Sequence, residues 1–527
     1  MKHIVYILLI GIALSSCGQT VENPEEKDWA GTITYFASAD EVQQQTYYKP
    51  AVGYVGDPMP FFDPKSQTFK VLYLQDFRPN PAGTYHPIWC VETADAANYT
   101  SMGELISCGG INDQDAALGT GSTVYNEADG LYYTFYTGHC NNMSLNPERE
   151  AVMLATSADF KTWKKDNAFI LRASDNGYSG NDFRDPFVFR GEDGQWHMLV
   201  STRQSGKGVL AEYTSTDLKQ WAHAGVFMTM MWDRFYECPD LFKMGDWWYL
   251  VYSEQLRPIR RVQYFKGRTL EELKACTAND AGLWPDTHEG SLDSRGLYAG
   301  KTASNGTDRY LWGWCPTRAG KDNTAVGADP DEPEWAGNLV AHRLIQHEDG
   351  TLTLGEVPAI AAKHNAPAEH RLMVQGGNVV ATDRDYQLSG DSYVLFSRLS
   401  TCNRISFTLT TSGSTDKFGI SLVRGSDSEK YYTMVVNPEG EDRRKVNFEE
   451  EGETGIGFIA GIDGYVFDRP ADNVYHITLY TDNSVCVLYI NDVCCYTNRI
   501  YGIRRNGWSI NSYGDANITV SDITVKN

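Results

Sequence analysis

Hydrophobic and polar positions alternate over short runs along most of the chain, and one plan of strands and turns recurs. Each copy opens on a small or acidic residue, often beside a proline, and continues as an apolar strand, a turn and an aromatic-rich strand. The copies begin at Asp57, Gly121, Asp185, Glu237 and Asp293, so they are 64, 64, 52 and 56 residues apart. Three of them turn at hairpin dipeptides, namely Asp129-Gly130, Asp193-Gly194 and Gly245-Asp246.

This repeat predicts an all-β fold that begins with a five-bladed β-propeller, over residues 33–366. Five copies lie within the range of roughly four to eight blades that propellers contain. A second echo, between residues 157–163 and 215–221, is expected to connect outer strands of successive blades. Helical periodicity is nearly absent, with Leu270 to Ala275 as the best short candidate. A β-sandwich array is the alternative fold, but it explains the spacing less well.

The last third of the chain predicts a second domain, a C-terminal β-sandwich over residues 367–527. Short alternating runs typical of sandwich strands occupy residues 392–396, 404–409, 475–480, 485–492 and 518–525. The acidic run at 449–453 is predicted to be a solvated loop. We expect this domain to serve packing rather than sugar binding.

The first residues have the pattern of an export signal. An apolar run, Ile4–Leu14, is too short to cross a membrane as a folded helix, and it ends in Leu14-Ser15-Ser16-Cys17. That tetrapeptide resembles the lipobox of bacterial lipoproteins, in which the cysteine is acylated. We therefore expect a signal peptide over 1–17, lipidation at Cys17, a tether over 18–32 and a lipid-anchored location on the bacterial cell envelope, with an ordinary signal peptide as the alternative.

Charge and composition exclude several classes of protein. The 527 residues hold 46 Lys+Arg against 68 Asp+Glu, a net charge of -22, and no basic run, which excludes a nucleic-acid binder of the usual kind. With 42% hydrophobic residues the chain is not disordered, and with one apolar run it is not a polytopic membrane protein. We expect contact with the membrane only through the N-terminal lipid anchor.

No cofactor or metal is expected from the sequence. Ten cysteines follow Cys17, but none forms a Cys-x-x-Cys pair and no His-Glu-x-x-His occurs, so we expect buried free thiols. Gly300-Lys301-Thr302 is no phosphate-binding loop, because Arg295 stands where that loop needs a glycine.

The repeat places carboxylates together. The first strand of each propeller blade lines the central channel, so Asp57, Asp185 and Glu237 are expected to converge at one mouth, with Asp293 as a fourth candidate. Crowded carboxylates repel one another, so one of them should hold its proton above its ordinary pKa. One ionised and one protonated carboxyl group are what glycosidic cleavage requires, which predicts a glycosidase acting on an oligo- or polysaccharide. Calcium binding is the alternative, but the Asp-x-Asp-x-Asp spacing is missing.

Two motifs around these acids carry a family resemblance. Phe183-Arg184-Asp185-Pro186 and Tyr236-Glu237-Cys238-Pro239-Asp240-Leu241-Phe242 resemble the Arg-Asp-Pro and Glu-Cys-Pro-Asp-Leu-Phe motifs of glycoside hydrolase family 32, the invertases, inulinases, levanases and fructan exohydrolases. Weaker matches follow in the family's order between about residues 47 and 360, at Leu72 to Pro79, Thr120 to Ser122, Leu297 to Ala299 and Asp349 to Pro358.

The resemblance implies retaining cleavage of a β-fructofuranoside. Asp57 would attack the anomeric carbon, and Glu237 would protonate the leaving oxygen and then activate water. Asp185 would bind sugar hydroxyls and stabilise the transition state. The remaining candidates for substrate binding are Gln75, Trp89, Thr120, Arg184, Trp314 and Asp293.

One departure from the family lies in the motif around the nucleophile. The family's nucleophile lies in Trp-Met-Asn-Asp-Pro-Asn-Gly, but here Gly56 replaces the asparagine, which removes a sugar contact, and Met59-Pro60 replaces Asn-Gly. All three acids remain, which favours an active glycosidase of altered specificity. The alternatives are a family-43-like inverting arabinan or xylan hydrolase and a non-catalytic glycan-binding lipoprotein. A carboxyl separation of about 5 Å between Asp57 and Glu237 would favour retention and about 6.5–9.5 Å inversion.

Overall fold

A computed structural model describes residues 46–77, 86–140, 142–230, 234–254, 261–276, 290–318, 333–423, 431–437, 446–451, 469–499 and 506–527. The expected signal peptide, Cys17 and the tether lie outside these described residues. Within the described ranges no helix is long and apolar enough to span a membrane.

The first region is built from strands β1 to β19. Their bounds in chain order are Tyr54–Asp63, Thr68–Asp76, Ile88–Thr93, Thr100–Ile106, Ala117–Asn126, Leu131–His139, Glu150–Ser157, Lys164–Leu171, Phe183–Arg190, Trp196–Gln204, Lys207–Ser215, Ala222–Thr229, Tyr236–Met244, Trp247–Glu254, Val262–Gly267, Tyr298–Ser304, Arg309–Arg318, Pro333–Gln346 and Leu352–Gly355. A 3₁₀ turn, Ser174–Asn176, and two short helices, α1 (Leu270–Ala275) and α2 (Pro358–Lys363), complete it. The predicted helix at Leu270 is confirmed.

These strands form antiparallel sheets that follow the chain. β5 to β8 and β9 to β12 are four-stranded sheets, β13 to β15 form a three-stranded sheet, and β1 to β4 join β16 to β19 through the pairing of β1 with β18. The first strands of successive sheets contact one another in the order β1, β5, β9, β13 and β16, and β16 contacts β1. The sheets therefore surround a common axis, as in a β-propeller.

Each of these innermost strands carries a β-bulge at an equivalent place. Register shifts fall between Gly56 and Met59, Gly119 and Gly121, Arg184 and Phe187, Glu237 and Asp240, and Tyr298 and Lys301. At four of them a non-glycine residue has positive φ: Asp57 (30°), Asp185 (58°), Cys238 (52°) and Ala299 (53°). A bulge redirects side chains, and these bulges define one level around the axis.

The position of the fifth bulge corrects the predicted equivalence of Asp293 with Asp57 and Asp185. Asp293 lies before β16, whereas the bulge equivalent to Asp57 and Asp185 is at Tyr298 and Ala299. The fifth copy has no proline to mark its bulge, so the sequence pattern alone places the start of this copy at Asp293.

The echo at 157–163 and 215–221 connects outer strands, as predicted. In both copies an aspartate accepts hydrogen bonds of 2.8–2.9 Å from the backbone N–H groups of the second and third residues after it. The residue directly after the aspartate, Phe160 or Leu218, has positive φ. Asp95, between β3 and β4, makes the same turn with Ala97 and Asn98, a third copy that the sequence comparison missed.

The second region is a β-sandwich of strands β20 to β30. Their bounds are Leu372–Ala381, Tyr386–Phe396, Cys402–Thr411, Lys417–Val423, Tyr431–Val436, Val446–Glu451, Val474–Asp482, Val485–Ile490, Cys494–Arg499, Trp508–Tyr513 and Asn517–Lys526. Each predicted run of this region lies in a strand, and the Phe396 and Trp508 rings stack at 4.6 Å in its core. The acidic run is corrected, because it begins inside β25 (Val446–Glu451), which pairs with β24.

A buried arginine joins the two regions. Arg499, on β28, is 2% exposed and donates to the carbonyl oxygens of Cys315 (2.8 Å) and Pro316 (3.1 Å) and to Oδ1 of Asn338 (2.6 Å). Its other amino group reaches Ser484 Oγ at 3.0 Å. The guanidinium therefore satisfies several buried acceptors of the propeller from a strand of the sandwich.

Arg499→Met is expected to lower the free energy of unfolding by at least roughly 3 kcal/mol, because buried acceptors lose their donor. Urea unfolding followed by tryptophan fluorescence measures this loss. The exposed Arg384 provides a matched control, and its Met variant should change stability by about 0.5 kcal/mol at most. Equal effects of the two substitutions would contradict a structural role for Arg499 between the regions.

Candidate active site

The bulges bring Asp57, Asp185 and Glu237 together from β1, β9 and β13. Asp57 and Glu237 are partly exposed, whereas Asp185 is 4% exposed. The three lie close enough that the charge of Glu237 raises the pKa of Asp57, and the charges of Glu237 and Asp57 raise that of Asp185, in each case after the larger effect of burial. The arrangement offers two reachable carboxyl groups beside a buried one.

Asp57 is held through both of its oxygens. Thr120 Oγ1 donates to Oδ2 at 2.8 Å, and Trp314 Nε1 donates to Oδ1 at 2.9 Å. Desolvation raises the pKa of Asp57, the two hydrogen bonds oppose that rise, Glu237 adds to it, and the nearby Lys301 charge lowers it. The two donors fix the orientation of the carboxylate and favour its ionised form.

Asp185 connects three of the inner strands. Its Oδ2 accepts the backbone N–H of Cys238 at 2.8 Å, and its own N–H donates to Thr137 Oγ1 at 2.9 Å. Thr137 in turn donates to the carbonyl of Thr120 at 2.9 Å. Burial raises the pKa of Asp185 to about 7, although the adjacent Arg184 opposes the rise. A carboxyl group with a raised pKa is therefore present, but burial rather than repulsion between carboxylates is the largest cause.

Glu237 lies between a cation and a phenol. Arg184 Nη2 donates to Oε1 at 3.0 Å, and the Tyr298 hydroxyl donates to Oε2. Tyr298 lies in the weak match at Leu297 to Ala299, which does not by itself indicate a role for the hydroxyl. Its position on the fifth bulge, where Asp293 was expected, is the signal that would have identified it.

Arg184 is itself positioned by acids. Its Nη1 donates to Glu150 Oε2 at 3.1 Å and to Asp182 Oδ1 at 3.0 Å, and its guanidinium lies 4.3 Å from the centre of the Phe235 ring. Glu150 is buried and also accepts the N–H of Phe183 at 2.8 Å. No sequence signal marked Glu150, because it belongs to no repeated motif.

The remaining predicted binding residues are mostly enclosed. Thr120 and Trp314 lie at Asp57, as their motifs suggested, but both are almost fully buried, so Trp314 orients Asp57 rather than offering a sugar platform. Gln75 is also fully buried and donates to the carbonyl of Val52 at 2.6 Å. Trp89 is partly exposed, and its ring lies 5.9 Å from the Phe77 ring and packs against the core.

The expectation that Asp293 binds substrate is wrong. Asp293 is fully buried where the two regions meet, and its oxygens accept from Thr497 N (2.7 Å), Thr497 Oγ1 (2.5 Å) and Ser294 N (2.6 Å). With His342 and Cys495 it forms the one group of three potential metal ligands among the residues that the structure describes. Those hydrogen bonds already occupy the carboxylate, so we interpret the group as a network that fastens β28 to the propeller.

Eight of the ten described cysteines are buried and all ten are free, as the sequence predicted. One of them, Cys238, lies in the site, where its backbone rather than its thiol contacts Asp185. Burial raises the pKa of the Cys238 thiol well above its usual range, so the thiol stays protonated beside the carboxylates.

Two domain families match the chain. The glycosyl hydrolases family 32 N-terminal domain matches residues 47–358, and the domain described as GH32, BT1760-like, C-terminal domain matches residues 350–525. Together the two matches leave only the N-terminal segment and the last two residues uncovered.

Curated relatives are β-fructofuranosidases and related hydrolases by name. The chain is 25% identical over 370 residues to an insoluble β-fructofuranosidase isoenzyme of Arabidopsis thaliana, a match covering 65% of this chain and 59% of the relative. It is 30% identical over 221 residues to the raffinose invertase of Escherichia coli (39% and 42%) and 26% identical over 345 residues to a sucrose-6-phosphate hydrolase of Staphylococcus xylosus (62% and 65%). The chain thus spans less than two thirds of the length of these relatives.

Solved structures share the whole fold. A β-fructofuranosidase of Bombyx mori superimposes with a TM-score of 0.68 at 18% identity, covering 92% of this chain and 93% of its own. An exo-inulinase of Aspergillus awamori gives a TM-score of 0.68 at 16% identity, with 94% and 98% covered. These likenesses establish a propeller followed by a β-sandwich.

Asp185→Asn is expected to change how stability depends on pH. A carboxyl group whose pKa rises on folding favours the folded state below its unfolded pKa, near 4, and this contribution is lost as pH rises to about 7. Relative to the Asn variant, the native chain should therefore lose up to roughly 4 kcal/mol of unfolding free energy between pH 4 and 7. Urea unfolding at several pH values measures the difference.

Asp159→Asn is the control for this experiment. Hydrogen bonds led by the Thr162 N–H lower the pKa of Asp159 to about 2, so this side chain is ionised throughout that range. Its variant should differ from the native chain by a constant amount. A constant difference for Asp185→Asn as well would contradict the raised pKa.

Proposed function

The chain belongs to glycoside hydrolase family 32, and from that premise we propose that it hydrolyses β-fructofuranosidic bonds of fructans or sucrose-type oligosaccharides with retention of configuration. One observation carries the proposal. Asp57 and Glu237 match the family's nucleophile and acid. They lie on equivalent bulges, and their hydrogen-bond donors differ in charge. Asp57 accepts from neutral donors, whereas Glu237 has a cation on one oxygen and a phenol on the other.

The first half of the reaction forms a covalent intermediate. An oxygen of Asp57 bonds to the anomeric carbon while the bond from that carbon to the leaving oxygen breaks, and Glu237 gives its proton to the leaving oxygen. Thr120 and Trp314 keep the Asp57 carboxylate in one orientation, so little reorganisation is needed as the bond forms.

The second half returns the enzyme to its starting state. Glu237, now ionised, takes a proton from water, the water oxygen bonds to the anomeric carbon, and Asp57 departs with its electron pair. The Arg184 guanidinium and the Tyr298 hydroxyl stabilise the ionised Glu237 in this interval. Their contacts therefore serve the step in which Glu237 acts as a base.

Asp185 has a different part in this scheme. It is less exposed than Asp57 and Glu237, but it lies close enough to both that their charges raise its pKa. We propose that Asp185 accepts hydrogen bonds from hydroxyls of the bound fructosyl unit. The positive charge that the fructosyl unit carries in the transition state favours an ionised Asp185. The position of Arg184 beside it supports that ionisation.

The architecture proposed for this activity is a five-bladed propeller over residues 33–366 and a packing sandwich over 367–527. The ring of contacts among β1, β5, β9, β13 and β16 supports five blades. Helix α2 and the chain that follows it carry the backbone from the last propeller strand to β20.

Reducing-sugar release from levan, inulin, sucrose and arabinan tests the activity. We expect fructose-containing products from one or more of the first three, a loss of about 10²- to 10⁴-fold for Glu237→Ala and a larger loss for Asp57→Ala. Asp193→Ala, at an exposed hairpin turn, is the control and should keep full activity. Equal traces from the native chain and both site variants would instead support a glycan-binding protein without catalysis.

The cellular location is a separate proposal, which rests on the sequence alone. We propose that the mature chain begins at an acylated Cys17 and is anchored on the envelope, since several acyl chains on one residue hold a protein stably. Cys17→Ser should move the protein from the membrane fraction to the soluble fraction in the native host. Unchanged fractionation would refute the anchor, and labelling with a fatty-acid analogue provides the positive control.

A further inference from the structure

Gly56 precedes Asp57 at a position whose backbone would accept any residue, because its φ is not positive. Space is what excludes a side chain there. A Cβ built on Gly56 would lie 2.2 Å from Cη2 and 2.6 Å from Cζ2 of Trp335, far inside the limit that real contacts respect. The indole of Trp335 therefore occupies the volume in which a side chain at position 56 would begin.

Trp335 belongs to the surroundings of both reacting acids. It packs against Tyr298 and Trp314, the side chains that bond to Glu237 and Asp57, and its ring centre lies 6.2 Å from that of Trp314. The His86 ring lies 4.1 Å from it, tilted by 32°. Trp335 is also partly exposed, so part of its indole is open to solvent.

We propose that Gly56 and Trp335 form one specificity element of the sugar site, an inference that rests on the proposed function. An amide side chain at position 56 would recognise a sugar hydroxyl by hydrogen bonds. The indole offers an apolar face instead, which suits the C–H groups of a fructofuranosyl ring. The site therefore selects the sugar at this wall by shape, and the indole leaves no room for a side chain at position 56.

A double-mutant cycle tests this pairing on levan, inulin and sucrose. Gly56→Asn should lower kcat/KM by about 10- to 100-fold, because the new side chain collides with the indole. Trp335→Ala should raise KM by about 3- to 10-fold and leave kcat nearly unchanged, because Asp57 keeps both of its donors. The double variant should exceed Gly56→Asn in kcat/KM by about tenfold or more, since removing the ring makes room for the amide.

Thermal unfolding provides a second cycle that does not depend on catalysis. Gly56→Asn should lower the melting temperature, and adding Trp335→Ala should lower it no further or restore part of the loss. Trp221, another partly buried tryptophan, packs against Phe135 in a different sheet. Trp221→Ala should therefore be additive with Gly56→Asn in both cycles, which controls for the loss of core area. Gly56→Ala replaces the Asn variant in every cycle if that variant does not fold.

Additive effects of Gly56→Asn and Trp335→Ala, in both kcat/KM and melting temperature, would overturn the inference. A failure of the proposed function is a different result, because the native chain would then release no sugar. In that case the thermal cycle decides the pairing of the two residues by itself, and it overturns the pairing if it is additive.

Discussion

Crowding of carboxylates around one axis is the constraint on which this structure depends. Burial raises the pKa of both Asp57 and Asp185, and the nearby charge of Glu237 raises both further. Two cations oppose that rise. Arg184 bonds to Glu237, and Lys301 lies near Asp57, where it is 2% exposed and donates to the carbonyl of Gly121 at 2.8 Å. The site is thus a balanced group of charges, in which each acid has a different set of partners.

The backbone makes that group possible through its bulges. Positive φ at Asp57 and Asp185 is unfavourable for residues with a side chain, and the strand pairing on either side of each bulge holds it in place. The sandwich contributes from outside, because Arg499 bonds to the carbonyl oxygens of Cys315 and Pro316, next to the tryptophan that orients Asp57. A domain expected only to pack therefore also supports the strand from which Trp314 projects.

Much of the fold follows from local sequence. Asp-Gly turns and alternating strands predict the hairpins correctly, and Asn491-Asp492 forms a turn in which both residues have positive φ, as a two-residue hairpin favours. The predictions fail where burial or strand register determines the position of a residue. Asp293 satisfies a local pattern but precedes β16 and its bulge, and the acidic run begins in a strand that pairs with β24.

The three acids were identified from the sequence, but the residues that hold them were harder to find. Thr120 and Trp314 match positions of the sugar pocket, but their hydrogen bonds to Asp57 and their burial cannot be read from a motif. Glu150 carries no local signal because its partner Arg184 is distant in sequence. From the sequence alone Gly56 is a missing sugar contact. The structure gives a physical reason for a glycine there, because a Cβ at this position would collide with Trp335.

Trapping the covalent intermediate tests the central claim most directly. Glu237→Gln would be mixed with β-fructofuranosyl fluoride, whose fluoride leaves without an acid, and then quenched, digested and analysed by mass spectrometry. We expect one added fructosyl unit on the peptide that contains Asp57, because the variant lacks the base that would activate water to release the sugar. Fluoride release without any labelled peptide, or a label on another residue, would contradict the assignment of Asp57 as the nucleophile.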